Sequence, residues 1–211
     1  MGIRNRLSKS ILLTGATTTM VIGVGIGVAL AVTAVPEIDV TPAGNITAAA
    51  GTTTLKDTNT GSVLTCTSSS SSGSLNAEAD PTLGSITALS FSNCTGPLGL
   101  TFTVTNSGFP WKLTASAFNS GTGVTTGKIS GIKSHLSGPS CSADVAGTTA
   151  TTPGKVKATY TNSSGILKVL PTGGTLHVFN VSGCAGLIKS GDATQFSGSY
   201  TVSPKQTIKA T

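Results

Sequence analysis

The chain of 211 residues carries thirteen basic and seven acidic residues, a net charge of +6, yet charged side chains make up only 9% of it. Ser, Thr, Gly and Ala dominate, which excludes the charge-rich composition of a disordered chain. The basic residues are scattered, with no Arg beyond Arg6 and no interleaved aromatics, so a nucleic-acid partner is not expected.

Residues 1–10 contain Arg4, Arg6 and Lys9 with no acid, and residues 11–32 are uncharged, with their apolar density greatest over 20–32. This order of a basic and then an apolar region predicts a signal peptide over 1–34, a signal helix in the nascent chain. Ala29-Leu30-Ala31 and Val32-Thr33-Ala34 both fit the small-x-small rule for cleavage, and Ala34 is favoured over Ala31. An uncleaved anchor is the alternative, and it is the only membrane attachment considered for the segment. The threonines of 14–19 and Gly15, Gly23, Gly25 and Gly27 weaken it. Asn5 separates Arg4 from Arg6, so the strict twin-Arg signal is absent. The expected location is secreted or extracellular, with cell-envelope association as a variant.

Residues 35–44 read as a short extended leader, and 45–211 as a single all-β domain. Asp57-Thr58-Asn59-Thr60-Gly61 has the oxygens and glycine of a calcium-loop opening but lacks the rest of that loop, so a hairpin turn with Asx hydrogen bonding is expected. The serine run at 68–72 is expected to be a loop between strands. A helical turn is expected near 78–83 or 185–190 and little helix elsewhere. Residues 100–104 alternate, Asn106-Ser107-Gly108 reads as a turn, and 111–115 alternate again, which predicts a hairpin. Residues 155–160 and 166–170, joined by Asn162-Ser163-Ser164-Gly165, predict a second. Thr172-Gly173-Gly174 then turns into 175–181, whose two apolar faces suggest a central strand. Many short strands with no βα alternation indicate an antiparallel sandwich or barrel, with Greek-key-like connections.

Cys66, Cys94, Cys141 and Cys184 are an even set in a chain read as exported, which favours two disulfides over a zinc site. Their spacing has none of the short Cys or His intervals that zinc requires. A weak internal duplication aligns 89–98 with 179–188 through apolar, Ser, Cys and Gly positions, and each segment is followed by a similar strand, at 101–105 and 199–203. The halves are then 45–120 and 121–211. Of the three possible connectivities, duplication favours Cys66–Cys94 with Cys141–Cys184.

The strings Phe91-Ser92-Asn93-Cys94-Thr95-Gly96-Pro97-Leu98-Gly99, Leu136-Ser137-Gly138-Pro139-Ser140-Cys141, Asn180-Val181-Ser182-Gly183-Cys184 and Tyr200-Thr201-Val202-Ser203-Pro204-Lys205-Gln206-Thr207-Ile208 resemble those of uncharacterised small secreted proteins of actinobacteria, the Streptomyces group among them. The resemblance covers most of the mature chain. It implies a compartment and a source, but no activity and no functional residues.

No catalytic set, metal site or cofactor motif stands out. The two histidines, His135 and His177, sit in strand-like runs, and no G-x-S-x-G elbow accompanies them. Ser130-Gly131-Ile132-Lys133 matches S-x-x-K without the companion motifs or the helix of penicillin-binding enzymes. Asn45, Asn93, Asn162 and Asn180 head sequons, which a bacterial product normally leaves unmodified. Trp111, Tyr160 and Tyr200 are the candidate ligand contacts, as a stacking platform for sugars if exposed, with Trp111 the best candidate for a partly exposed ring; filling the core is the favoured reading for each. The expected function is a non-enzymatic binding or structural role, with a cell-wall glycan or another extracellular protein as partner. An outer-envelope, channel-like β-barrel and a hydrolase with an unrecognised site are the alternatives.

Overall fold

A β-strand with one wet face alternates small or apolar side chains with polar ones, and residues 154–161 do so without a break: Gly154, Val156, Ala158 and Tyr160 are buried, while Lys155 and Lys157 are exposed. The computed structural model describes residues 37–79 and 81–210. Fifteen strands and one short 3-10 turn, at Pro97–Gly99, are found there. The signal segment and its cleavage positions lie outside the described residues.

In chain order the strands are β1 (Ile38–Thr41), β2 (Gly44–Ala50), β3 (Thr53–Asp57), β4 (Val63–Leu75), β5 (Glu78–Ala79), β6 (Thr82–Thr95), β7 (Thr101–Ser107) and β8 (Trp111–Asn119). They continue as β9 (Val124–Ser137), β10 (Ser142–Ala146), β11 (Gly154–Thr161), β12 (Ile166–Leu170), β13 (His177–Ser182), β14 (Thr194–Ser203) and β15 (Thr207–Ala210). Twelve of them close an antiparallel barrel of eight staves. Four staves are the long strands β4, β6, β9 and β14. Each of the other four is two shorter strands end to end: β2 with β3, β7 with β8, β10 with β11, and β12 with β13. A bridge between His177 and Ala193 ties β13 to the start of β14. Every stave pairs with the next in the chain and the last with the first. The connections are therefore up-and-down, which corrects the Greek-key expectation and settles barrel over sandwich.

The breaks within staves explain two misread turns. β7 and β8 were expected to pair as a hairpin across Asn106-Ser107-Gly108; instead both lie between β6 and β9. Gly108, at φ 73°, and the cis Phe109–Pro110 bond bend one stave there. Inward parity changes from Val104 and Asn106 to Trp111 and Leu113, as an inserted residue requires. Residues 171–176 likewise bend β12 into β13 rather than reverse the chain. The β11–β12 hairpin is as expected, with Thr161 opposite Ile166.

The serine run is in the middle of β4, not in a loop. Ser68 and Ser70 face outward, while Ser69 points inward, where its small side chain leaves room for Tyr200 and bonds its hydroxyl at 3.0 Å. Residues 78–79 form β5 and 82–83 open β6, while 185–190 hold a hydrogen-bonded turn, Leu187 N–H to Cys184 O at 2.9 Å, without helix. Gly73 and Gly84 sit where β4 and β6 converge, and a Cβ on either would meet the other strand's backbone.

One end of the barrel, the cap, is covered by a three-stranded sheet in which β1 lies between β15 and β5. Ile38, Val40 and Ile208 bury themselves in the common core. The other end, the mouth, is formed by loops 58–62, 96–100, 138–141 and 183–193. Both disulfides are there. Cys66–Cys94 staples directly opposed residues of β4 and β6, and Cys141–Cys184 joins the chain entering β10 to that leaving β13. This is the favoured connectivity. Residues 45–120 and 121–211 each contribute four staves, and each bridge joins the second and third staves of its half.

Candidate functional site

The outer wall is built from residues the burial pattern turns away from the lumen, and register brings together side chains distant in sequence. Across β8, β9 and β11 run Lys112, Ser130 and Lys155. The next outward row is Thr114, Lys128, Lys157 and, on β12, Leu170. The third is Ala117, Thr126, Thr159 and Lys168. All five lysines are exposed and no acidic residue occupies any row. At standard strand geometry the face measures roughly 14 Å by 14 Å. Lys128 is directly opposite Lys157, an arrangement that costs stability because like charges face each other across strands. A surface groove of about 490 Å³ runs here, with Lys128, Lys155, Lys157, Thr126 and Thr159 on its walls. Gly173 forms part of its side; a Cβ there would stand 2.6 Å from Cε of Lys157.

Five of the ten lysines beyond residue 34 thus form one patch, which corrects the reading of an even scatter taken from chain order. None of the rows carries an aromatic ring.

Inside the barrel is an apolar cavity of about 90 Å³, walled by residues that include Trp111, Tyr200, Phe91, Phe196, Ile132 and Leu167. Phe91 and Phe196 meet edge to face at 5.8 Å. A second cavity of about 50 Å³ shares Leu55, Leu64 and Leu136 with the first and extends to the mouth, where Leu187, Ile188 and Pro97 line it.

Trp111, Tyr160 and Tyr200 are 3%, 6% and 4% exposed, so they fill the core, the favoured reading, and form no outer stacking platform; Trp111, the best candidate of the three for a partly exposed ring, is buried with the others. Inward parity on β8, β11 and β14 is the cause. Trp111 Nε1 donates to Ser107 O across the stave break at 2.8 Å. The Tyr160 hydroxyl donates to Gln206 O at 3.0 Å and accepts from Gln206 N at 2.9 Å, which fastens the cap. Burial raises the pKa of both tyrosines above 10.0, against the lowering effect of their hydrogen bonds. Trp111 and Tyr200 face the larger cavity; Tyr160 does not.

Among the described residues the two histidines contact a carboxylate and a backbone carbonyl. His135 Nδ1 contacts Asp144 Oδ1 at 2.7 Å, and Asn180 donates to the other carboxylate oxygen at 2.7 Å. The Asn180 bond first and the His135 bond second hold the Asp144 carboxyl below its ordinary value of 3.8. His177 Nδ1 contacts Thr175 O at 3.1 Å, and no hydroxyl is hydrogen-bonded to either ring. Ser130 and Lys133 lie on the strand β9, not one helical turn apart, so S-x-x-K has no catalytic geometry. Among the described residues no three His, Cys, Asp or Glu side chains converge to hold a metal ion.

At the calcium-like sequence, Asp57 Oδ1 accepts the N–H groups of Asn59 and Thr60 at 2.8 and 2.9 Å, forming the expected Asx turn between β3 and β4. Its other oxygen, Oδ2, is buried without a partner, as are Thr53 Oγ1 and Thr194 Oγ1. Sequence patterning singled out Asp57 only as a calcium-like turn residue and did not mark Thr53 or Thr194, because an inward polar side chain on an alternating strand looks like any other position.

The outer wall also disposes of the lipid-embedded barrel. Strand length does not count against that alternative, since β4, β6 and β9 have 13, 14 and 14 residues. Polarity is what counts against it: Ser, Thr and Lys dominate the outward positions, where a lipid-facing barrel needs an apolar belt. Val63 and Leu98, the two exposed large apolar side chains among the described residues, are both near the mouth.

No family model matches the chain, and no curated protein or solved structure matches it.

Proposed function

We propose that the protein is an exported, non-enzymatic barrel that docks through its lysine face on an anionic glycan of the cell envelope. The observation carrying this reading is the juxtaposition of Lys112, Lys128, Lys155, Lys157 and Lys168 without an acid among them. A face that sets Lys128 against Lys157 gives up stability, and a partner that supplies negative charge restores it. Lysine presents a compact point charge, without the planar fork by which arginine reads one carboxylate or phosphate in two places. With no ring in the rows, stacking on neutral sugars or bases has nothing to act through. What remains is attraction to regularly spaced phosphate or carboxylate groups.

Export rests on the basic and apolar order of residues 1–34 and is supported by the two disulfides, which persist in oxidising compartments.

The test is retention of residues 35–211 on immobilised polyphosphate and on polygalacturonate, with dextran as the neutral comparison, over a series of salt concentrations. Retention on the anionic polymers, falling linearly in a log–log plot against salt, is expected. K128E/K157E should weaken it at low salt and flatten the slope by about 1.4, at about 0.7 per neutralised charge on a single strand. Equal retention on dextran, or unaltered retention by K128E/K157E, overturns the reading.

A further inference from the structure

The lumen contains a second and independent set of unused groups. Thr53, Leu55 and Asp57 share the inward face of β3, and Thr194 faces Asp57 in register on β14. Thr53, Asp57 and Thr194 are 1%, 2% and 8% exposed. A carboxylate taken from water is costly unless its oxygens receive hydrogen bonds. The Asx turn supplies donors to Asp57 Oδ1 and none to Oδ2. Asp57 and Thr194 both line the cavity at the mouth, and Thr53 lines the larger one beyond Leu55. The rest of the larger wall is overwhelmingly hydrocarbon and aromatic, so the two spaces, which share Leu55, Leu64 and Leu136, offer an apolar lining with a donor-seeking carboxylate at the mouth.

The mouth also has a cover. Thr60 Oγ1 and Ser62 Oγ both donate to Leu187 O at 2.6 Å, and Thr58 Oγ1 donates to Ala193 O at 2.9 Å. These bonds clip loop 183–193 to the turn that contains Asp57. Leu187 and Ile188 of that loop are themselves cavity wall.

We propose that the lumen binds a small primary amine with a short apolar body, its ammonium donating to Asp57 Oδ2 and Thr194 Oγ1 and its hydrocarbon lying towards Trp111 and Tyr200. The two volumes, about 90 and 50 Å³, limit the body to the size of a short alkyl chain or one small ring. The ammonium supplies the missing donors and neutralises the carboxylate, which an ether or alkane of the same shape does not. The mouth is the entrance, because β1, β5 and β15 cover the other end.

Trp111 is the sole tryptophan in the chain and lies on the wall of the larger cavity, so its fluorescence reports filling of that cavity. Pentylamine, pentan-1-ol and butyl methyl ether are titrated into residues 35–211. A saturable change with pentylamine is expected, at least tenfold tighter than with the ether. Asp57→Asn keeps the Oδ1 acceptor of the Asx turn but removes the charge. It should weaken pentylamine at least tenfold and shift pentan-1-ol by less than threefold. Thr194→Val leaves the turn untouched and should weaken both pentylamine and pentan-1-ol several-fold, which keeps the test valid if Asp57→Asn does not fold. No saturable change with pentylamine, equal affinity for amine and ether, or an undiminished amine affinity in both variants overturns the proposal. Polymer retention by the lysine face is unaffected by any of these outcomes.

Discussion

The bond pair between Tyr160 and Gln206 should be the most costly single hydroxyl to remove. Tyr160→Phe keeps the ring and its packing, so the change isolates the oxygen. Gln206 is 1% exposed, and its N–H and C=O both rely on that hydroxyl, at 2.9 and 3.0 Å. Orphaning a buried backbone group costs about 1–3 kcal/mol, so two of them give about 2–4 kcal/mol after partial relaxation. Tyr200→Phe is the internal comparison. Its hydroxyl meets Ser69 Oγ at 3.0 Å, but Ser69 keeps its bond to Ser90 O, also 3.0 Å, so no group is orphaned there. That loss is about 1 kcal/mol. At about 2–4 °C per kcal/mol for a domain of this size, Tm should fall by roughly 6–12 °C for Tyr160→Phe and about 3 °C for Tyr200→Phe. Urea denaturation of both variants gives the free energies. Hydrogen exchange should show the loss concentrated in β15, with the staves protected as before. A Tyr160→Phe variant no less stable than Tyr200→Phe would refute the account of the cap.

Removing Cys141–Cys184, which closes a separation of 43 residues, should cost slightly more than removing Cys66–Cys94, with a separation of 28. Loop entropy puts the two at about 4.0 and about 3.6 kcal/mol, and urea midpoints of the paired Cys→Ala variants check it. In acid, the Asp144 contribution is fully present above the ordinary carboxyl value and is lost as pH falls through the lowered folded value; Asn180→Ala should move the Asp144 titration, followed by NMR, upward. In alkali, Tyr160 and Tyr200 keep their protons longer than in the unfolded chain. Their contribution is therefore intact below about pH 10 and declines as pH rises through it towards the raised values, with absorbance at 295 nm showing two delayed phenolates in the folded protein.

Much of the architecture was legible from residue pattern. Alternation gave the all-β class, the cysteine register gave the pairing, and Asp57 with its following Asn and Gly announced the turn that is found. Local chemistry ran out where one signal serves two geometries. Asn106-Ser107-Gly108 and Asn162-Ser163-Ser164-Gly165 look alike, yet the first bends a stave and the second reverses the chain. Which happens depends on whether β9 and β6 continue alongside, and that is a tertiary fact. The serines of β4 look like a loop because small hydroxyl residues are common in loops; in the barrel they are the small side chains that face Tyr200 and the water outside. The lysine face was invisible for a related reason. Its members come from four strands, and only the register that puts Lys128 beside Lys157 and Lys112 across from Ser130 gathers them.

The pairing of β1 with β15 places Ile38 opposite Ala210. The two ends of the folded ring therefore meet, and a short linker between them would leave the polypeptide free to be cut elsewhere. The exposed turn between β8 and β9, where the first four staves end and the second four begin, is the natural site. A permuted chain opening with β9 should close the same ring. Reporter domains joined directly ahead of Ile38 or behind Ala210 would leave from the capped side, clear of loop 183–193 and of the entrance it covers.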